Sequence, residues 1–284
     1  MRRNFAEILK SAKIDYVNEY KKLYKMLFVE DSEITVFGEK RAPYDIFDES
    51  FPEYRFAGTC LSLREFDKVK EIYFPDSDEN ITFDDLLSLM EYLYNLLDGY
   101  PTEDEWGSKS YIPLDINFGI RHLCRLAEAI GYEFIYQYSS SGSNILVEKD
   151  AVVTAVAESD LIPEEISYRL ITYNHHSMRG NLEDKKAIIL QLANLLEGKQ
   201  KDLCQINSGF KKDLFYLFNN FNIRHNNCDR RSNDYKPAIA NMDKEKLENW
   251  YDETYQMCLL AFMELEQADR KPKFDAIKDE IEKK

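Results

Sequence analysis

The sequence predicts a mainly α protein. An α+β N-terminal region with a small β-hairpin or meander precedes a C-terminal bundle of four helices. Three observations predict this. Apolar residues recur at helical spacing through several long windows. Segments suited to strands cluster at Tyr132–Tyr138 and Asn144–Glu148, on either side of a Ser/Gly-rich joint. The balance of charge also changes near residue 160.

The chain has 284 residues, 44% of them hydrophobic and 31% charged, enough for two modest domains. Its net charge of −15 argues against a nucleic-acid coat over the whole surface. Residues 165–284 carry 20 basic and 20 acidic side chains, so the whole deficit falls on residues 1–164, with 17 basic against 32 acidic. Any contact with a polyanion belongs to the neutral C-terminal part, where Arg224, Arg230 and Arg231 stand close in sequence. The expected division is an acidic α+β domain over 1–160, a helical bundle over 161–268 and a charged tail over 269–284.

Five scattered cysteines without a Cys-x-x-Cys pair argue against a disulfide framework and a structural zinc site. No apolar run approaches the ~20 residues that span a bilayer. The opening Met1-Arg2-Arg3-Asn4-Phe5 leads into Glu7, Lys10 and Lys13 rather than an apolar core, so a cytoplasmic chain with no membrane partner is expected.

Taken in order, residues 5–28 read as an amphipathic helix. Residues 29–58 read as irregular, and short strands are expected at Ile34–Phe37 and, further on, at Glu71–Phe74. Phe83–Asp98 reads as a helix closed by Gly99, and 115–130 as another closed by Gly131. The acidic run Thr102-Glu103-Asp104-Glu105-Trp106 reads as solvated surface rather than a glycosidase pair. The joint Ser139-Ser140-Ser141-Gly142-Ser143 lacks the Lys of a phosphate-binding loop and reads as a hairpin turn. A helix followed by a hairpin also fits a winged-helix fragment, against which the acidity of this half argues. Ala151–Ala157 fits a third strand or a helix start.

From Pro163 onward everything reads as helix. Pro163 with Glu164 and Glu165 opens the first, which runs to His175, His176 and Gly180. Asn181 with Asp184 opens the second, ending at Gly198. The third covers 209–225, a polar loop follows to Asn241, and Asp243 caps the fourth.

The end of the third helix holds the candidate site. Leu214, Leu217, Phe218 and Phe221 share a face, and the same spacing places His225 in the stripe and Arg224 at its edge. One reading is structural: Arg and His favour the negative end of a helix, and Asn226 or Asn227 caps it. The other is an Arg-His pair for phosphodiester chemistry. His175 and His176 admit a secondary acid/base role. They also fit a helix end, where neighbours point about 100° apart and at most one faces a cleft.

Three segments, Ile166–His176 running into Gly180, Asp184–Glu197 and Asp213–Asn227, resemble in order and spacing the HEPN domains of AbiJ-like abortive-infection proteins. The resemblance covers about residues 163–268, and more weakly 115–158. It implies a HEPN-like four-helix bundle that forms a homodimer through the C-terminal bundle. It also implies an endoribonuclease in antiviral defence that cleaves RNA without metal or cofactor. An acidic N-terminal domain would answer a phage-derived trigger or an inhibitory partner. The family pattern places a His several residues after the Arg. Here Arg224 matches, positions 229–231 are Asp229, Arg230 and Arg231, and the His stands next to the Arg as His225. On this likeness Arg224 stabilises phosphoryl charge, His225 moves protons, and Asn226, Asn227, Arg230 and Arg231 bind or orient RNA. The displaced His keeps an alternative open: an inactive HEPN-like scaffold that binds RNA or protein.

Overall fold

The computed structural model describes residues 14–29, 35–36, 39–76, 80–101, 115–136 and 142–282. Among the described residues it is mainly helical, with two small two-stranded antiparallel sheets. The chain divides into two compact units, Met1–Glu148 and Lys149–Lys284. None of its described helices is long and apolar enough to cross a membrane.

In the first unit, α1 (Tyr16–Phe28) starts at an extended Asp15 cap, so the helix expected over 5–28 does not run unbroken, and residues 5–13 lie outside the described residues. The strand pair β1 (Thr35–Val36) and β2 (Glu39–Lys40) follows. The segment expected to be irregular folds into α2 (Pro43–Ser50) and a 3-10 turn at Phe51–Glu53. Pro43 starts α2 at a position where a missing N–H costs nothing. No strand forms at Glu71–Phe74. Those residues follow α3 (Leu63–Val69), and Glu71 turns the chain at φ 55°.

A reciprocal Thr82–Asp85 box caps α4 (Phe83–Asp98), which buries Leu86, Leu87, Met90, Leu93 and Leu97. Gly131, at φ 84°, ends α5 (Ile116–Ile130) and turns the chain into β3 (Tyr132–Tyr136). β3 pairs with β4 (Asn144–Glu148), with Phe134 opposite Leu146. Side chains of α4 complete the hydrogen bonding of β4. Asn95 exchanges two bonds with the Asn144 backbone (2.6 and 2.8 Å), and Glu91 accepts the Leu146 N–H at 2.6 Å. The open strand edge is thereby covered. The acidic run 102–106 and residues 139–141 lie outside the described residues.

The second unit begins earlier than the charge shift near 160 suggests. Ala151–Ala157 is helix α6, capped by Asp150, and its Val153, Val156 and Ala157 join the core of this unit. The four expected helices occur as α7 (Glu164–Thr172), α8 (Leu182–Glu197), α10 (Ser208–Asn220) and α12 (Lys244–Glu282). Two short ones lie between them, α9 (Gln200–Ile206) and α11 (Pro237–Ala240). Asn181 and Asp184 cap α8 as their spacing predicts. The core is a layer of Leu170, Ile189, Leu192, Leu196, Leu214 and Phe218 closed over by Tyr255, Cys258 and Phe262 of α12. The expected tail is no separate element, because α12 continues through Pro272 to Glu282.

Candidate functional site

The site is a turn, not a helical stripe. α10 ends at Asn220, five residues short of His225, and Phe221 leaves helical geometry. Asn222 adopts φ 58°, a left-handed conformation that Asn tolerates better than other side-chain-bearing residues. Its N–H donates to Asn227 Oδ1 at 2.8 Å, and the Arg224 N–H reaches back to Phe218 O at 3.0 Å. The chain therefore folds over the end of α10 instead of extending it.

Asn227 holds this turn together. It is fully buried. Its Nδ2 donates to Asp234 O at 2.8 Å, and its own carbonyl accepts the Lys236 N–H at 2.8 Å. With its amide spent on two backbone groups, Asn227 braces the loop and cannot orient a phosphate, which corrects the role expected for it. The neighbouring Tyr251 hydroxyl is pushed up to about 12 by burial, with a hydrogen bond from the Asn222 side chain pulling the other way.

Arg224 turns inward. Its side chain is 12% exposed, and one terminal nitrogen donates to Ala193 O at 2.7 Å and to Glu197 Oε2 at 2.6 Å. Both acceptors lie in the last turns of α8, where a cation is favoured by the helix dipole. The guanidinium sits over the Phe215 and Phe218 rings, 5.5 and 5.3 Å from their centroids. Its Nε is buried without a partner. Two acceptors and two aromatic faces already occupy this cation, so it ties α8 to α10.

His225 turns outward and is 44% exposed. Its Nδ1 lies 3.2 Å from Asp234 Oδ2. An exposed imidazole with a carboxylate beside it is placed to exchange protons with a bound molecule. Asn226, Arg230 and Arg231 are exposed on the same loop. Asp229 shapes it by accepting the Arg231 N–H at 2.9 Å. A groove of about 470 Å³ lies beside the turn, lined by Tyr216, Phe221, Trp250 and Met257, with Asp213 and Lys236 also contributing.

His175 and His176 are not on a helix, because α7 ends at Thr172. His175 caps the 3-10 turn His176–Met178 by accepting the Ser177 N–H, and its Nδ1 lies 2.7 Å from Ser177 Oγ. The two rings lie 4.3 Å apart, so the 100° divergence expected of helical neighbours does not apply.

One polar cluster escaped the sequence. The Lys185 ammonium, 6% exposed, donates to Glu248 Oε1 and Asp252 Oδ1, both at 2.7 Å. Asp252 also accepts the Tyr173 hydroxyl at 2.8 Å, and Glu248 accepts the Gly180 N–H at 2.7 Å. Burial pushes the Glu248 carboxyl up. The Lys185 and Gly180 hydrogen bonds outweigh this and hold it below its ordinary value. Burial and the Asp252 carboxylate push the Tyr173 hydroxyl far up, so it stays a donor. Lys185 inside the stripe Leu182–Ile189, and Glu248 and Asp252 one turn apart among apolar neighbours, were the available signals.

No family model, no curated protein and no solved structure matches the chain.

Proposed function

We propose that the second unit is a HEPN-like RNA-cleaving module of a phage-defence protein, with its chemistry on the outer face of the turn 221–236. The pairing of His225 with Asp234 carries this reading. Asp234 lies beside one imidazole nitrogen and the ring is 44% exposed, as a general acid or base requires. In the reaction the ribose 2′-oxygen attacks the adjacent phosphorus. A base takes the 2′-proton, an acid protonates the leaving 5′-oxygen, and a 2′,3′-cyclic phosphate remains. His225 fills one of these roles and water fills the other. Arg224 is committed inside, so the exposed Arg230 and Arg231 are left to meet the phosphoryl charge. The groove beside Trp250 and Phe221 offers aromatic surface for an unstacked base.

Purified protein incubated with total RNA in chelator, beside His225→Ala, tests this. Cleavage leaving 2′,3′-cyclic ends and lost in the variant is expected. Cleavage unchanged in His225→Ala would remove the assignment.

The internal engagement of Arg224 favours a second reading, a scaffold that binds RNA or a protein without cleaving. It requires RNA retained on the protein, intact, with binding weakened by Arg230→Ala and Arg231→Ala.

A further inference from the structure

The last part of α12 leaves its own core behind. Up to Leu265 one face is buried through Cys258, Ala261, Phe262 and Leu265. From Asp269 to Glu282 every side chain is exposed. Yet the exposed surface is not uniformly polar. Leu260, Met263, Phe274, Ile277 and Ile281 are large apolar residues between 42% and 69% exposed. Their positions follow a heptad: Leu260, Gln267, Phe274 and Ile281 are seven apart, as are Met263, Arg270 and Ile277. This is the a/d seam of a coiled coil, lying opposite the face that packs into the core. It runs roughly 33 Å at 1.5 Å per residue. Two apolar patches on one seam, left open among the described residues, mark an interaction surface.

We propose that this seam pairs with the same seam of a second copy, antiparallel, about a twofold axis between Ala268 and Asp269. The sequence is self-complementary in that register. Leu260 meets the partner's Ile277, and Met263 meets the partner's Phe274. The two polar seam residues, Gln267 and Arg270, meet each other in the central layers. Ile281 meets the partner's Gln256 at each end. The flanking charges agree: Glu264 faces the partner's Lys271, and Glu266 faces the partner's Lys273, each twice by symmetry. Within one copy Arg270 already donates to Glu266 at 2.8 Å, so the central cation enters the seam paired.

The parallel in-register alternative fails on the same residues. It stacks Arg270 on the partner's Arg270 and places Lys273 beside the partner's Lys278. Polar residues within a seam cost stability and specify register, and only the antiparallel arrangement brings Gln267 and Arg270 together. Pro272 falls at an outward position and does not enter the seam. This inference does not depend on the RNA reading.

Sedimentation of the full chain at tens of micromolar is expected to show a dimer. Phe274→Lys with Ile277→Lys should convert it to a monomer that still unfolds cooperatively, with the thermal midpoint of wild type diluted until it is monomeric, since both residues are exposed within one copy. Zero-length carbodiimide cross-linking of mixed isotope-labelled copies should give Glu264–Lys271 and Glu266–Lys273 links between copies. A monomeric wild type, or a dimer indifferent to the paired substitution, overturns the proposal. Inter-copy Glu266–Lys271 links without Glu266–Lys273 links mark a parallel pair and overturn the antiparallel register.

Discussion

Arg224 and His225 are adjacent in sequence and face opposite ways. The Arg224 guanidinium lies under α8, 2.7 Å from Ala193 O, while the His225 ring lies outside, 3.2 Å from Asp234. A polar pair that reads as one site is divided by the turn into a structural cation and an accessible imidazole.

Arg224→Ala is therefore expected to act on stability. It removes a charge-assisted bridge and the packing of the guanidinium over Phe215 and Phe218, and should cost about 2–4 kcal/mol. Arg224→Lys should recover little, because an ammonium lacks the planar fork. Urea unfolding midpoints of the two variants check this.

His225→Ala and Asp234→Asn should leave stability within roughly 0.5 kcal/mol of wild type, as exposed substitutions do. If the module cleaves RNA, His225→Ala abolishes cleavage and Asp234→Asn slows it by removing the carboxylate charge beside the ring. Single-turnover rates on a short RNA, set beside unfolding midpoints, separate chemistry from folding.

Asn227→Ala removes the partners of two part-buried backbone groups, the Asn222 N–H and the Asp234 carbonyl. A loss of about 1–3 kcal/mol is expected, because water can reach part of what the amide leaves unpaired. Hydrogen exchange should quicken across 221–236 before it changes elsewhere in the second unit.

Lys185→Met leaves Glu248 and Asp252 without their cation and should cost about 3–5 kcal/mol. The Glu248 carboxyl is held below its ordinary value of 4.5 in the folded protein. Its contribution to stability is therefore present above pH 4.5 and lost as pH falls from there through the lower folded value. Glu248→Gln should flatten that limb of the stability curve, measured by thermal unfolding between pH 3 and 7 (roughly the carboxylate range).

The local elements are legible in the linear sequence. Helical spacing located α4, α5, α8 and α12, and side-chain caps such as Asn181–Asp184 marked where helices begin. The β3–β4 pair followed from two apolar stretches around a Ser/Gly joint. These features depend on residues a few positions apart, so a linear reading contains them. The tertiary structure decided what the polar residues do. Apolar periodicity runs from Leu214 past Phe221 as though α10 continued. The chain nevertheless stops at Asn220, because the Asn227 amide takes up the Asn222 N–H and the Asn222 side chain meets Tyr251 of α12. That stop turns Arg224 under α8 and His225 outward. Lys185 becomes a buried cation only because α12 brings Glu248 and Asp252 to it from more than sixty residues away. A helix period reports which face is covered. It carries no information on which distant group satisfies a buried charge, since that depends on where the covering helix lies.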